Sequence, residues 1–300
     1  MKTILFAAIM IIMVLPVRSS DEVYRDAGAG AFSFLKIDPG ARAAALGGTG
    51  LLNSGNLAVF TNPALLASMD TGFLSAGHNQ WIGDATQNFL SWNFNLNRVK
   101  CALGTRFLYV GNLEMRESAT SEPVTTFSAW DISFHAAAGI RLGMFDLGLG
   151  MKLLREKIWM ESATGIAFDA GVVIHPLNGL DLAASLQHIG PSVTMVDDDF
   201  RLPATWRLGG RYGFHLPFGD VAVSAEVRKP LDNSLSAGSG IEYTPQKWLK
   251  LRFGMRFLDD SRDFTSGIGL SAGSWTLDYA FVPTDYALGT VHRFTLHKSL

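Results

Sequence analysis

The chain has 300 residues, 48% of them hydrophobic and 11% aromatic, with 31 glycines, one cysteine and a formal net charge of −2. A balance this close to neutral excludes the basic surface that nucleic acid requires. The lone Cys101 excludes an internal disulfide and a thiolate metal cluster.

Lys2 precedes an unbroken apolar run from Ile4 to Pro16, followed by Val17-Arg18-Ser19. This predicts a secretory signal peptide over residues 1–19, cleaved near Ser19. The run is shorter than the roughly 20 apolar residues a spanning helix needs. No later stretch reaches 18 consecutive apolar residues, so spanning by helices is excluded. An exported chain of this size without disulfides needs another source of cohesion, and the hydrogen-bond ladder of a closed barrel supplies it.

Residues 20–70 mix alanine and leucine with glycine pairs. They include Gly40-Ala41-Arg42, Gly47-Gly48 and Asn62-Pro63-Ala64. That composition predicts short helical turns, and a segment this small and weakly charged would fit inside a wide lumen as a hatch. Asn62-Pro63-Ala64 also matches a water-channel motif, but those channels need two copies on half-helices among six membrane helices. The expectation here is that Asn62 starts, and Pro63 opens, a short helical turn.

Residues 71–300 are expected to form the barrel. From about Gly72, fourteen segments of roughly ten residues alternate apolar with small or polar positions, each bounded by Gly, Pro, Asn or Asp. In 249–257 one face is Leu249, Leu251, Phe253, Met255 and Phe257, and the other is Lys250, Arg252, Gly254 and Arg256. The segment around Trp206, Leu208, Tyr212 and Phe214 sets Arg207, Gly209, Arg211 and Gly213 on its second face. Segments seven and eight look short. Trp92, Tyr109, Trp159, Trp206, Trp248 and Trp275 stand near segment ends, as girdle aromatics do.

Every second connection is a tight turn, whereas 114–127 and 190–202 are long, the asymmetry of an outer-membrane barrel. The fold class is therefore all-β, a single-chain transmembrane antiparallel barrel of about fourteen strands with an N-terminal hatch in its lumen. A soluble sandwich or propeller also alternates, but no propeller-length repeat is present.

The chain is not read as an enzyme, and no cofactor or metal is expected. Ser133 and His135 share the lumen face of one strand, which more often marks lumen polarity than a catalytic pair. Asp197-Asp198-Asp199 lacks the spacing of a calcium loop and reads as solvated loop. Arg207 and Arg211 on one strand, with Lys250, Arg252 and Arg256 three strands away, are the candidate substrate-binding residues. They would favour an anionic solute or a carboxylate head group. The alternative is that they pair with lumen acids such as Asp169, Glu226 and Asp278, or with hatch carbonyls, and close the hatch against the wall.

The run from Phe34 through Arg42 to Leu46-Gly47-Gly48, followed by Ala58-Val59-Phe60-Thr61-Asn62-Pro63-Ala64, resembles the N-terminal signature of the PorV/PorQ outer-membrane proteins, relatives of the FadL hydrophobic-compound transporters. The likeness continues through His78-Asn79-Gln80-Trp81, Phe168-Asp169-Ala170-Gly171, Leu202-Pro203 and Leu277-Asp278-Tyr279-Ala280. It implies a fourteen-stranded barrel with a hatch carrying Arg42, Gly47, Gly48, Asn62 and Pro63, located in the outer membrane. The chain departs from the family in its trimmed loops and its ending at Leu300 instead of an aromatic.

The implied partners are outer-membrane lipid and either a long-chain hydrophobic ligand or an exported cargo protein of type IX secretion. A sealed structural barrel is the third reading. Ligand uptake predicts an apolar pocket beside the hatch and a lateral gap where a strand is kinked by Gly or Pro.

Overall fold

A computed structural model describes residues 30–119, 121–257, 264–284 and 289–300. The expected signal peptide lies outside the described residues. The strands are β1 (Phe73–Gln80), β2 (Thr86–Leu96), β3 (Val99–Met115), β4 (Thr125–Leu142), β5 (Phe145–Ile158), β6 (Glu161–Leu177), β7 (Leu180–Ile189), β8 (Val193–Met195), β9 (Asp198–Phe200), β10 (Thr205–Leu216), β11 (Gly219–Pro230), β12 (Ser236–Gln246), β13 (Leu249–Phe257), β14 (Phe264–Ala272), β15 (Trp275–Pro283) and β16 (Thr290–Ser299).

Fourteen of these form one closed barrel, each paired antiparallel with its neighbours, and β8 and β9 form a separate hairpin. Closure is made by β1 against β16, in register from Phe73 opposite Ser299 to Gln80 opposite His292. Closing the sheet removes both edges, so the ladder satisfies the wall's backbone without water.

Alternation decides which side chain goes where, because successive residues of a strand point to opposite faces. Leu149 is 69% exposed and Phe253 63%, whereas Arg106, Lys152, Arg207 and Arg252 are each 1% exposed. This inverts the soluble pattern, in which charged residues face water and leucine faces the core. A wall of exposed Leu, Phe and Trp wrapped around buried charge is the arrangement of strands that face lipid.

Six two-residue turns lie at one end of the barrel together with the start of β1 and the end of β16. Asn97, Gly143, Gly179 and Gly273 take positive φ in four of these turns. The other end carries the longer connections, with one exception. β5 and β6 are joined there by Trp159-Met160, a tight turn with Trp159 at φ 53°.

The region expected as a plain loop at 190–202 contains the β8–β9 hairpin, in which Val193 pairs with Phe200. The eighth barrel strand, expected to be short, is β10, with 12 residues. Its glycines Gly209, Gly210 and Gly213 depress strand propensity locally, yet pairing on both sides with β7 and β11 carries it to full length.

Candidate functional site

The lumen is filled by the chain itself. Residues 30–72 run through it as a 3₁₀ turn (Ser33–Lys36), two short α-helices (Ala41–Ala45 and Gly50–Asn53) and two more 3₁₀ turns (Gly55–Phe60 and Pro63–Ser68). Ala41–Ala45 packs on β13 to β16, Gly50–Asn53 on β7, β10 and β11, Gly55–Phe60 on β1 to β4, and Pro63–Ser68 on β3 to β6. Leu46 and Gly47 lie against Gly240 and Gly238 of β12. The segment thus meets every barrel strand and forms a plug.

Two seats let plug backbone approach wall backbone. At the first, Gly47 (φ 71°) and Gly48 (φ 81°) turn the chain in left-handed geometry, open to glycine at little cost. A Cβ on Gly254 would fall on the backbone nitrogen of Gly47, and one on Gly238 would fall on its carbonyl oxygen. At the second seat, a Cβ on Gly148 would strike Pro63 and the nitrogen of Ala64, and one on Gly171 would strike Oδ1 of Asn62. Asn62 accepts from the backbone N–H of Ala64 at 3.1 Å and donates to the carbonyl of Leu51 at 3.2 Å. Pro63 occupies the first position of the turn. This is the helix-start role expected of Asn62-Pro63.

Charged side chains tie the plug to the wall at several places. Arg207 on β10 grips Asp38 of the plug with two bonds, of 2.8 and 2.9 Å, and donates to Glu226 on β11 at 2.5 Å. Glu226 in turn accepts from the backbone N–H of Leu51. Arg42 of the plug donates twice to Glu242 on β12, at 2.7 and 2.9 Å. Glu242 also binds Arg252, which reaches Asp278 on β15 at 2.7 Å. At the tight-turn end Ser68 donates to Asp146, itself paired with Arg141 and His175. Further up, Arg106 donates to the carbonyls of Phe34 and Ile37, and Arg293 to that of Asp38.

Burial opposes ionisation of Asp38, but Arg207 and Arg228 outweigh it and hold the carboxyl below the ordinary aspartate value of 3.8. A carboxyl whose value is depressed on folding contributes stability above its unfolded value and loses it as pH falls through the folded one. The expected result is that the Asp38 tie survives acidification from pH 7 to about 4 and weakens only below that. Conductance of bilayers carrying the protein, scanned in pH, checks this. Opening that begins near pH 6 would show that another group controls the seat.

The five basic candidates do not form one patch. Arg207 and Arg252 are each satisfied by two carboxylates. Arg211 stands 3.7 Å from Asp181. Arg256 lines a crevice of about 10 Å³ beside Gly47 and Gly48. Lys250 lines a separate cavity of about 300 Å³ with Arg42, Arg252, Asn56, Asp278 and His297. Of the acids considered as partners, Glu226 and Asp278 pair with the arginines, whereas Asp169 pairs with Lys152 at 2.7 Å. Asp38, Glu242 and Arg106 were missed as anchors. Their only sequence signal was a charge on the inward side of a strand or inside a small-residue segment.

Ser133 Oγ and His135 Nε2 lie 2.7 Å apart, but Phe60 covers the imidazole edge-on at 4.9 Å and both residues are buried. Asp199 accepts from Thr194 within the β8–β9 hairpin. Among the described residues no group of three or more His, Cys, Asp or Glu could hold a metal.

One side of the wall is incomplete. β6 pairs with β7 only from Phe168 onward, and the ladder is interrupted between Phe168 and Ala170. The irregularity centres on His188 of β7, at φ 59°, a left-handed conformation costly for a residue with a side chain. Its N–H donates to Asp169 at 2.9 Å and its Nδ1 meets Lys152 Nζ at 2.7 Å. The break was expected at Gly or Pro, yet it falls on a histidine, because a buried lysine and carboxylate hold it there.

Above the break, residues 161–167 of β6 have no barrel partner on the β7 side. Behind that edge lies a packed apolar cluster of Phe32, Phe34, Leu35, Leu154, Val193 and Leu202, capped by the β8–β9 hairpin. The apolar matter expected beside the hatch is therefore a packed cluster, and the lumen cavities, of about 300 and 120 Å³, have polar residues among their linings.

A plugged, fourteen-stranded antiparallel barrel with a lipid-type outer wall and a charged lumen is the outer-membrane β-barrel fold. Within that class the chain has the FadL-type architecture. It superposes on the Ralstonia pickettii toluene transporter TbuX with TM-score 0.62 and 14% identity, over 87% of this chain and 98% of that one. The P. putida toluene transporter TodX gives 0.64 and 14% over the same shares. A Pseudomonas aeruginosa FadL homologue gives 0.55 and 13%, again over 87% and 98%. At these identities the likeness is one of fold. No family profile matches the sequence, and no curated protein matches it.

Proposed function

We propose that this chain is a plugged outer-membrane barrel of the PorV/PorQ kind, exported through a signal peptide cleaved near Ser19, that binds a hydrophobic compound and passes it toward the bilayer. The observation that carries this reading is the edge of β6 at 161–167, which has no ladder pairing on the β7 side and is covered by the β8–β9 hairpin, with an apolar cluster directly behind it. An apolar solute entering at the long-loop end would exchange contacts with Phe34 and Leu35 and leave sideways, never crossing the charged lumen, where desolvation of the ion pairs would oppose it. The toluene transporters TbuX and TodX share the architecture. Arg207 and Arg252 serve in this reading as plug anchors. Lys250, at the tight-turn end of β13, lines the polar lumen cavity away from this route.

The test is a fluorescence titration of refolded, detergent-solubilised protein with a long-chain fatty acid probe and with a neutral aromatic. Both are expected to bind saturably and to weaken strongly in Leu35→Asp. Lys250→Ala is expected to leave both titrations unchanged, because Lys250 lies off this route at the tight-turn end of the lumen. No binding by the unaltered barrel would sink the transport reading.

A second reading is favoured by the plug's contact with every strand. A cargo-handling protein of type IX secretion needs no pore and would use the long-loop end to hold an exported protein. Recovery of one such protein crosslinked to residues 114–127, together with failure of the titration, would favour it.

A further inference from the structure

The outward face of β5 runs Phe145, Leu147, Leu149, Met151 and Leu153, then changes to Arg155 and Lys157. The rise from Phe145 to Arg155, at about 3.3 Å per residue and a tilt near 40°, is about 25 Å, the height of a barrel's apolar band. The two bases therefore stand at the band's rim on the long-loop side. Neither has an ion pair or hydrogen bond among the described residues.

On the β4 side their cross-strand neighbours are aromatic and aliphatic, and on the β6 side Arg155 lies opposite Thr164 and Lys157 opposite Ser162. Lys157 lies opposite Trp130, which lies opposite Tyr109. Arg155 lies opposite Ile132, which lies opposite Phe107. One row below, Leu153 lies opposite Phe134. Phe107, Tyr109, Trp130, Ile132, Phe134, Leu153 and Arg155 wall an open apolar groove of about 530 Å³ on the outside of the barrel, and Lys157 stands on the same face of β5 two residues beyond Arg155. The Arg155 guanidinium sits 6.0 Å from the ring centre of Trp130, which holds its charge over the groove.

We propose that this groove across β3, β4 and β5 is a binding site for a phosphate-bearing acyl lipid. An acyl chain lies along Phe107, Phe134 and Leu153, and the phosphate lies between Arg155 and Lys157. Charge selects the occupant. Two cations without carboxylate partners, set where an apolar wall meets the interface, match an anionic head group joined to a hydrocarbon chain. A neutral lipid would leave both cations unanswered. A protein partner would need polar complementarity that the row from Phe107 to Leu153 lacks. The site rests on the membrane reading above but not on ligand transport, since every residue in it faces outward except Leu154 behind the groove.

The experiment is native mass spectrometry of the full chain in detergent, titrated with lipid A, a phosphorylated and acylated disaccharide. The expected result is one tightly held lipid, with affinity at least about tenfold lower in the double variant Arg155→Ala/Lys157→Ala. Equal retention in that variant overturns the proposal. Displacement by inorganic phosphate at matched concentration also overturns it, because the acyl chain would then contribute nothing. Migration on unheated gels checks that the variant barrel is closed. Insertion into liposomes and the fatty acid titration are expected to be unchanged in the variant. Failure of the unaltered chain to insert would count against the membrane reading instead.

Discussion

Replacing Gly254 with leucine is expected to unseat the plug while leaving the barrel closed. Gly254 points inward from β13, and any Cβ there meets the backbone of Leu46 and Gly47, with Thr265 Oγ1 2.6 Å away. Overpacking a well-packed interior costs about 1–3 kcal/mol when side chains can give way. Here the obstacle is main chain held by Gly47, so the cost lies at or above the top of that range. Gly238 and Gly240 on β12 make the same close approach, so the plug cannot slide to a neighbouring strand.

The cheaper response is for residues around 46–48 to leave the wall, breaking the bond from Gly47 N–H to Thr265. The measurement is single-channel conductance in planar bilayers, expected to be near zero for the unaltered chain and clearly raised in Gly254→Leu. The control is Gly213→Ala, a β10 glycine with no atom within 4 Å of an added Cβ. It is expected to behave like the unaltered protein. Conductance unchanged in Gly254→Leu would mean that the ion pairs alone hold the plug.

Arg207→Ala is expected to be the most destabilising single change among the lumen charges. Removing the guanidinium leaves Glu226 with no cation and Asp38 with only Arg228, 4.0 Å away. Breaking a buried pair in this way costs about 3–5 kcal/mol, because the remaining charge is uncompensated. Arg252→Ala strands Glu242 and Asp278 similarly, though Arg42 still answers Glu242, so its cost is the smaller of the two.

Lys250→Ala removes no ion pair and is expected to fall within about 0.5 kcal/mol of the unaltered protein. Urea unfolding followed by gel migration ranks the three. The triple variant Arg207→Met/Asp38→Asn/Glu226→Gln removes cation and anions together and should recover most of the loss. If Arg207→Ala instead abolished probe binding with no change in the unfolding midpoint, the residue would be a ligand contact and not an anchor.

The contrast between Arg207 and Lys250 shows where sequence reasoning stopped. Both lie on inward positions of strands, and the alternation that placed them there was legible because a strand's two faces are set by a period of two. The same period, with the Gly, Pro and Asn punctuation, was enough for fourteen strands and for the six tight turns at one end. Asn62 followed by Pro63 was also readable, since capping is a matter between neighbours in sequence.

What only the tertiary structure decided is which charge meets which. Asp38 and Arg207 are 169 positions apart, and their meeting depends on barrel closure and on the path of the plug through the lumen. The role of Gly254 was hidden for the same reason. A glycine on an inward face reads as a weak strand residue until another backbone is found pressed against it. Local periodicity determines the wall, because each strand's pattern is written within that strand. The seating of the plug and the pairing of its charges arise between segments distant in sequence, so they exist only once the fold has brought those segments together.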